Sequence, residues 1–175
     1  MTHDADQRLA AFLDDLEHEA AGALTVERRL EVEERARAEY ARVSLAARLM
    51  ASCGSRLDLV VQGVGPLTGT LVRVADGWSL LEVAGAEWLV LLEAVETVRG
   101  LAPSAVAPEA WPVTARLGLA SALRGLAGEP CVLRLRSGAR VEGRVGRAGA
   151  DFVEVHAGGG TSVVVAYRAL AAVRR

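Results

Sequence analysis

The fold class that this sequence predicts is α+β, with helices first and two small β-barrels after them. Three observations carry it. The last third of the chain alternates apolar and polar residues in short runs broken by glycine turns, the period of half-buried strands. The same plan occurs 74 residues earlier. And the first forty residues look like a helical hairpin, with one apolar helix face from Leu9 to Ala20.

The last third is the clearest. Cys131-Val-Leu-Arg-Leu-Arg136 alternates and reaches the turn signal Ser137-Gly138. Val141, Gly143 and Val145 then alternate with Arg140, Glu142 and Arg144, and Gly143 stands where a missing Cβ permits a sharp bend. Asp151-Phe152-Val-Glu-Val155, the valine run after Gly158-Gly-Gly160, and a last short segment ending at Val173 complete five predicted strands. A helix-like segment, Ala115 to Ala127, precedes them.

Displaced by 74 residues, Ala41–Gly54 lies over Ala115–Gly128 with six of fourteen positions identical: Ala41, Arg42, Leu45, Ala46, Leu49 and Gly54. Chance in an Ala- and Leu-rich chain gives roughly one or two. The register continues through Leu59/Leu133, Gly69/Gly143, Leu71/Val145 and Trp78/Phe152. One extra residue in the Gly158–Gly160 turn moves it to 75 for Val95/Leu170, Val98/Val173 and Arg99/Arg174. A period this long predicts a duplicated small domain, not a solenoid. The boundaries are a helical hairpin arm over 1–40, a first barrel with its preceding helix over 41–100, a proline-rich linker over 101–114, and a second barrel with its helix over 115–175.

In the arm, Leu9, Phe12, Leu13, Leu16 and Ala20 keep the spacing of one apolar helix face. Gly22 marks a stop, and Thr25 is a plausible N-cap for a longer helix from about Val26 to about Ser52. Glu31 and Arg35, or Glu33 and Arg37, are i,i+4 pairs in the favourable order, worth ~0.2–0.5 kcal/mol each. In the first barrel, Trp88-Leu-Val-Leu-Leu92 has no alternation. A strand apolar on both faces needs cover on both, so Trp88, Leu89, Val90 and Leu91 are the expected interface residues. Pro103, Pro108 and Pro112 exclude a continuous helix in the linker.

Composition narrows the function. Lys, Ile and Asn are absent, so all twenty basic residues are Arg, which suggests GC-rich coding rather than selection for guanidinium chemistry. Residues 1–40 carry −6, residues 41–100 carry −1, and residues 115–175, with ten Arg against four acidic residues, carry +6. The chain begins with acidic residues where a signal peptide needs positive charge, and no uncharged run approaches the ~20 apolar residues of a membrane span. Cys53 and Cys131 show no metal or redox spacing and read as buried thiols in a reducing cytoplasm. His3, His18 and His156 are scattered, with no carboxylate or cysteine at ligand spacing. The expectation is a cytoplasmic, non-enzymatic protein with no cofactor, no metal and no membrane.

The strand–turn–strand order of the last third, with Leu133, Gly138, Gly143 and Asp151-Phe152, followed by Val163-Val-Val-Ala-Tyr167-Arg-Ala-Leu170, resembles the two motifs of the Sm-like (LSm) proteins, and among them the Hfq type. The whole-chain arrangement also resembles proteins of high-GC bacteria. The resemblance implies two tandem five-stranded Sm-like (SH3-like) barrels, and binding of uridine-rich single-stranded RNA. Phe152 matches the family's stacking aromatic and Arg168 its basic residue. Asp151 and Ala169 depart from the family's amide and histidine. Arg140, Arg144 and Arg147 would add positive charge around such a site. The expected function is therefore RNA binding or post-transcriptional regulation through the basic second barrel, or else a protein–protein interaction or scaffold module. With barrels so unequal in charge and one edge paired internally, a monomer or homodimer is expected.

Overall fold

A computed structural model describes residues 28–29 and 31–175. The hairpin expected over residues 1–40 falls largely outside the described residues. The chain divides into two compact units, Met1–Val43 and Ser44–Arg175.

In the first unit, helix α1 covers residues 31–40, and Arg37 pairs with Glu33 at 3.2 Å as the i,i+4 spacing predicts. The single helix expected to run on to Ser52 does not form. Ser44 takes an extended conformation and its hydroxyl accepts a hydrogen bond from the Ala47 amide. A serine in this position satisfies one of the free N–H groups of a new helix and so starts one. That helix is α2, Leu45–Ala51.

The second unit holds α2, a second short helix α3 (Leu119–Gly125), and ten strands. The strands are β1 (Arg56–Val61), β2 (Gly65–Ala75), β3 (Trp78–Val83), β4 (Ala86–Leu91), β5 (Val95–Arg99), β6 (Pro130–Leu135), β7 (Arg140–Ala148), β8 (Phe152–His156), β9 (Ser162–Ala166) and β10 (Leu170–Arg174). They make one antiparallel sheet in the order β5-β1-β2-β3-β4-β10-β6-β7-β8-β9.

This corrects the expectation of two closed five-stranded barrels. Closure would need β4 to pair with β5 within one half, and β9 with β10 within the other. Instead a 3₁₀ turn, Leu92–Ala94, delivers β5 to the far side of β1, where Val61 meets Val95. The freed edge of β4 then pairs with β10, and the sheet runs on unbroken from one half to the other.

The sequence repeat is a repeat of pairing. Leu57 faces Gly69 in one half and Cys131 faces Gly143 in the other. Trp78 faces Leu91, and Phe152 faces Ala166. The Gly54 amide bonds to the Leu71 carbonyl, and the Gly128 amide to the Val145 carbonyl. Both β2 and β7 slip register just past the mid-strand glycine, between Leu71 and Arg73 and between Val145 and Ala148. Glycine is needed at both places, because a Cβ there would strike the backbone of the next strand, at Glu82 or at His156.

One apolar core serves both halves. Leu49, Leu59, Leu71 and Leu81 from the first and Leu123, Leu133, Val145 and Leu170 from the second are all essentially inaccessible. Full burial of each such side chain is worth about 1.5–3 kcal/mol. The proline-punctuated segment is not a loose tether at its start. The Ser52 hydroxyl accepts from the Ala102 amide, the Arg48 guanidinium donates to the Ala102 carbonyl, and the Val106 amide donates to the Ala47 carbonyl. Further on it forms two 3₁₀ turns, Pro108–Ala110 and Val113–Arg116, before α3. Among the described residues no helix is long and apolar enough to cross a membrane.

Candidate functional site

The expected interface residues Trp88, Leu89, Val90 and Leu91 lie on β4, at the junction of the two halves. Val90 stands opposite Ala172, Leu89 opposite Val173 and Trp88 opposite Arg174. Leu89, Val90 and Leu91 are buried, while Trp88 is half-buried. One residue further, Glu87 and Arg175 exchange both amide hydrogen bonds, and their side chains form an ion pair. Since hydrogen-bonded pairs alternate along an antiparallel ladder, Leu89 also points its N–H at β10.

Three further contacts bind the joint. The Arg136 guanidinium meets the Glu93 carboxylate at 3.1 Å. Arg134 donates to the Gly63 carbonyl at 3.2 Å. Gly63, with φ +70°, lies so close to the Leu135 and Arg136 backbone that a Cβ has no room. Beside the joint the Trp78 indole N–H donates to the Leu117 carbonyl at 2.8 Å, just ahead of α3. A cavity of about 250 Å³ opens here, lined by Trp78, Leu80, Leu89, Leu117, Leu126 and Val173 among others. Nothing in the sequence pattern singled out Gly63 or Leu117. The one available signal was the turn Gly63-Val-Gly65, which has no glycine counterpart at Ser137.

The residues expected to bind nucleic acid are spread along β7 to β9, and most are already engaged. Arg147 forms a two-pronged pair with Glu154 at 3.1 and 3.2 Å. That hydrogen bond and the carboxylate charge raise the pKa of the guanidinium. Arg140 pairs with Glu142 at 2.8 Å, and Arg144 donates to the Gly128 carbonyl at 2.8 Å. Arg140 and Arg147 stand near opposite ends of β7, roughly 23 Å apart at 3.3 Å per residue. Phe152 opens β8 half-buried, with Gly149 against its ring. Arg168 follows β9 in the 3₁₀ turn Tyr167–Ala169 and is exposed. The pairing of Phe152 with Ala166 and the bond from the Tyr167 amide to the Asp151 carbonyl bring the Phe152 and Arg168 segments to one end of the sheet. The Tyr167 hydroxyl donates to the Gly149 carbonyl at 3.0 Å, and burial raises its pKa.

Among the described residues no three His, Cys, Asp or Glu side chains gather as a metal set. Cys131 is buried, but Cys53, also expected to be buried, is exposed; desolvation raises the pKa of both thiols, which favours the neutral form.

Among the described residues the sheet leaves two strands with an unpaired side, β5 and β9. Each presents a row of free N–H and C=O groups. On β9, Val164 is 63% exposed, although its counterpart Leu89 on β4 is 5% exposed. Neither family models nor curated proteins give a match to this chain.

Proposed function

We propose that this chain is a non-enzymatic protein–protein interaction module whose binding surface is the open edge of its sheet. The observation that supports this is β9: a full-length edge strand carrying an exposed valine, Val164, at the centre of an apolar Val163-Val-Val165 run. Edge strands in stable proteins are ordinarily blunted by charge, proline or a covering segment. This one carries none of the charges or prolines that do so, and strand addition is the binding mode such an edge supports. The site-specific test is a photo-crosslinking side chain placed at position 164 in the full chain, in extract of its source cells, with the same group at exposed Val72 as control. Crosslinks from 164 and not from 72, mapped to an extended segment of a protein, are expected. Equal or absent crosslinking at 164 would overturn the reading.

A second reading, RNA binding, is favoured by the pair that the Sm-like resemblance implied. Phe152 is half-open for stacking, and Arg168 makes no ion pair among the described residues. Stacking contributes ~1–3 kcal/mol per base, and phosphate contacts would make affinity fall steeply with salt. The partners of Arg140, Arg144 and Arg147 weigh against it, since each would have to be given up or shared. A low-salt titration with uridine-rich RNA in which Phe152→Ala and Arg168→Glu abolish binding would place this reading first.

A further inference from the structure

The repeat sets two arginines in the same place and gives only one of them a carboxylate. Arg73 on β2 and Arg147 on β7 correspond at the spacing of 74, and so do Leu80 on β3 and Glu154 on β8. In the second half Arg147 holds Glu154 by two hydrogen bonds, at 3.1 and 3.2 Å. In the first half Arg73 stands opposite Leu80 and makes no ion pair among the described residues.

What Arg73 borders instead is the cavity of about 250 Å³ beside the joint. Its floor is the sheet, with Leu80 from β3, Leu89 from β4 and Val173 from β10. Leu80 pairs with Leu89 and Leu89 with Val173, so all three share one face. Its roof is α3, where Ser121, Ala122 and Gly125 fall on one side of the helix at i,i+3 and i,i+4 spacing. A Cβ added at Gly125 would meet nothing within 4 Å, so the helix does not touch the sheet there.

The matching side of α2 is occupied by the chain itself. Arg48, in the place of Ala122, donates to the Ala102 carbonyl. Ala47, in the place of Ser121, accepts the Val106 amide on its own carbonyl. The proline-rich segment thus covers α2, whereas under α3 the described residues leave a hollow.

We infer that this hollow binds a small carboxylic acid with an apolar body, aryl or branched alkyl, whose carboxylate sits on Arg73. The acid group gives Arg73 what Glu154 gives Arg147: a guanidinium–carboxylate contact that accepts two parallel hydrogen bonds. The body lies between Leu80, Leu89 and Val173 on one side and Ala122 on the other, where removal of apolar surface from water supplies affinity. Charge at the mouth sets the number of acid groups at one. Arg175 also lines the cavity but is already paired with Glu87, so a single guanidinium is left, and a second carboxylate would meet Glu87. Volume sets the size. The cavity is just below the ~300–1,000 Å³ of drug-sized ligand sites, which suits one ring or a short branched chain. None of these residues is on β9, so the site does not depend on the strand-edge reading.

Titration of the full chain with hydrocinnamate, followed by two-dimensional NMR, tests the inference, with hydrocinnamamide as the uncharged twin and isocaproate as the branched acid. Hydrocinnamate at millimolar concentration is expected to shift the Trp78 indole signal and the Leu89 and Val173 methyl signals. The amide should bind about five- to tenfold more weakly, because it forgoes a charge-assisted pair at an exposed guanidinium. Arg73→Met keeps the apolar stem and removes the charge at an exposed position. It should leave the folded spectrum unchanged and bring the acid down to the level of the amide. Gly125→Leu and Ala122→Phe fill the space from successive places on α3, and either one, folded, should abolish binding of both compounds. Acid and amide binding alike, or an acid preference that survives Arg73→Met, overturns the inference. So does a failure of both hydrocinnamate and isocaproate to move these signals. In each of those cases crosslinking from position 164 still decides the strand-edge reading by itself.

Discussion

Trp78 and Phe152 occupy the same place in two halves of one sheet, and their surroundings differ. Each opens the third strand of its half and faces the last residue of the fourth. Trp78 is buried and its indole N–H is satisfied by Leu117. Phe152 lies half-open beside a free edge. The strand plan is common to both, so what separates them is what stands next along the sheet. Equivalent residues in a duplicated chain take their energetic weight from the joint, not from the local fold.

Truncation at the two positions is the largest test. Trp78→Ala should cost about 3–5 kcal/mol, because it removes a fully packed ring and strands the Leu117 carbonyl. Phe152→Ala, which gives up a half-buried ring, should cost about 1–2 kcal/mol. Urea denaturation measures both, and equal losses would erase the distinction. Next in size are two glycines of one turn. Gly63→Ala drives a methyl into the Leu135 and Arg136 backbone at a left-handed φ and should cost about 3 kcal/mol or more. Gly65→Ala has a left-handed φ of +94° but open space around it, so about 1–2 kcal/mol is expected. If both cost the same, the close approach of the halves at Gly63 does not matter.

The smallest effect concerns Tyr167, whose counterpart is Leu92. Burial raises the phenol pKa in the folded chain, so the unfolded chain releases this proton at the lower pH. Stability linked to it is present below the ordinary tyrosine value of about 10 and is lost as pH rises through the folded value. Tyr167→Leu, which makes the second half resemble the first, should lessen the alkaline fall in Tm. An unchanged alkaline slope would count against the burial of this hydroxyl.

Much of this was legible in the chain and some was not, for definite reasons. The repeat could be read because mid-strand glycines and turn glycines recur at one spacing. Gly69 and Gly143 are fixed by backbone crowding that tolerates no other residue. The run Trp88–Leu92 was legible as a strand in need of cover on both faces. Which edge β4 would pair with was not, since alternation encodes the faces of a strand and says nothing of its neighbours. That single non-local pairing separates one continuous sheet from two closed barrels. The break at Ser44 was within reach: its counterpart is Gly118, just before α3, so the repeat itself marks a helix start there. The engagement of Arg140, Arg144 and Arg147 was harder to see. Glu154 and Gly128 meet their arginines only through strand pairing.

The place of β10 in the sheet has a consequence for the order of synthesis. Its five residues fill the slot between β4 and β6, so they complete the ladders of two strands made long before. Until Leu170–Arg174 has left the ribosome, β4 waits with Leu89, Val90 and Leu91 uncovered and its N–H groups open. For the time needed to make about eighty residues, at ~5–20 residues per second, the nascent chain carries an apolar edge of the kind that captures other chains. Folding of the first half is thus gated by the arrival of the second.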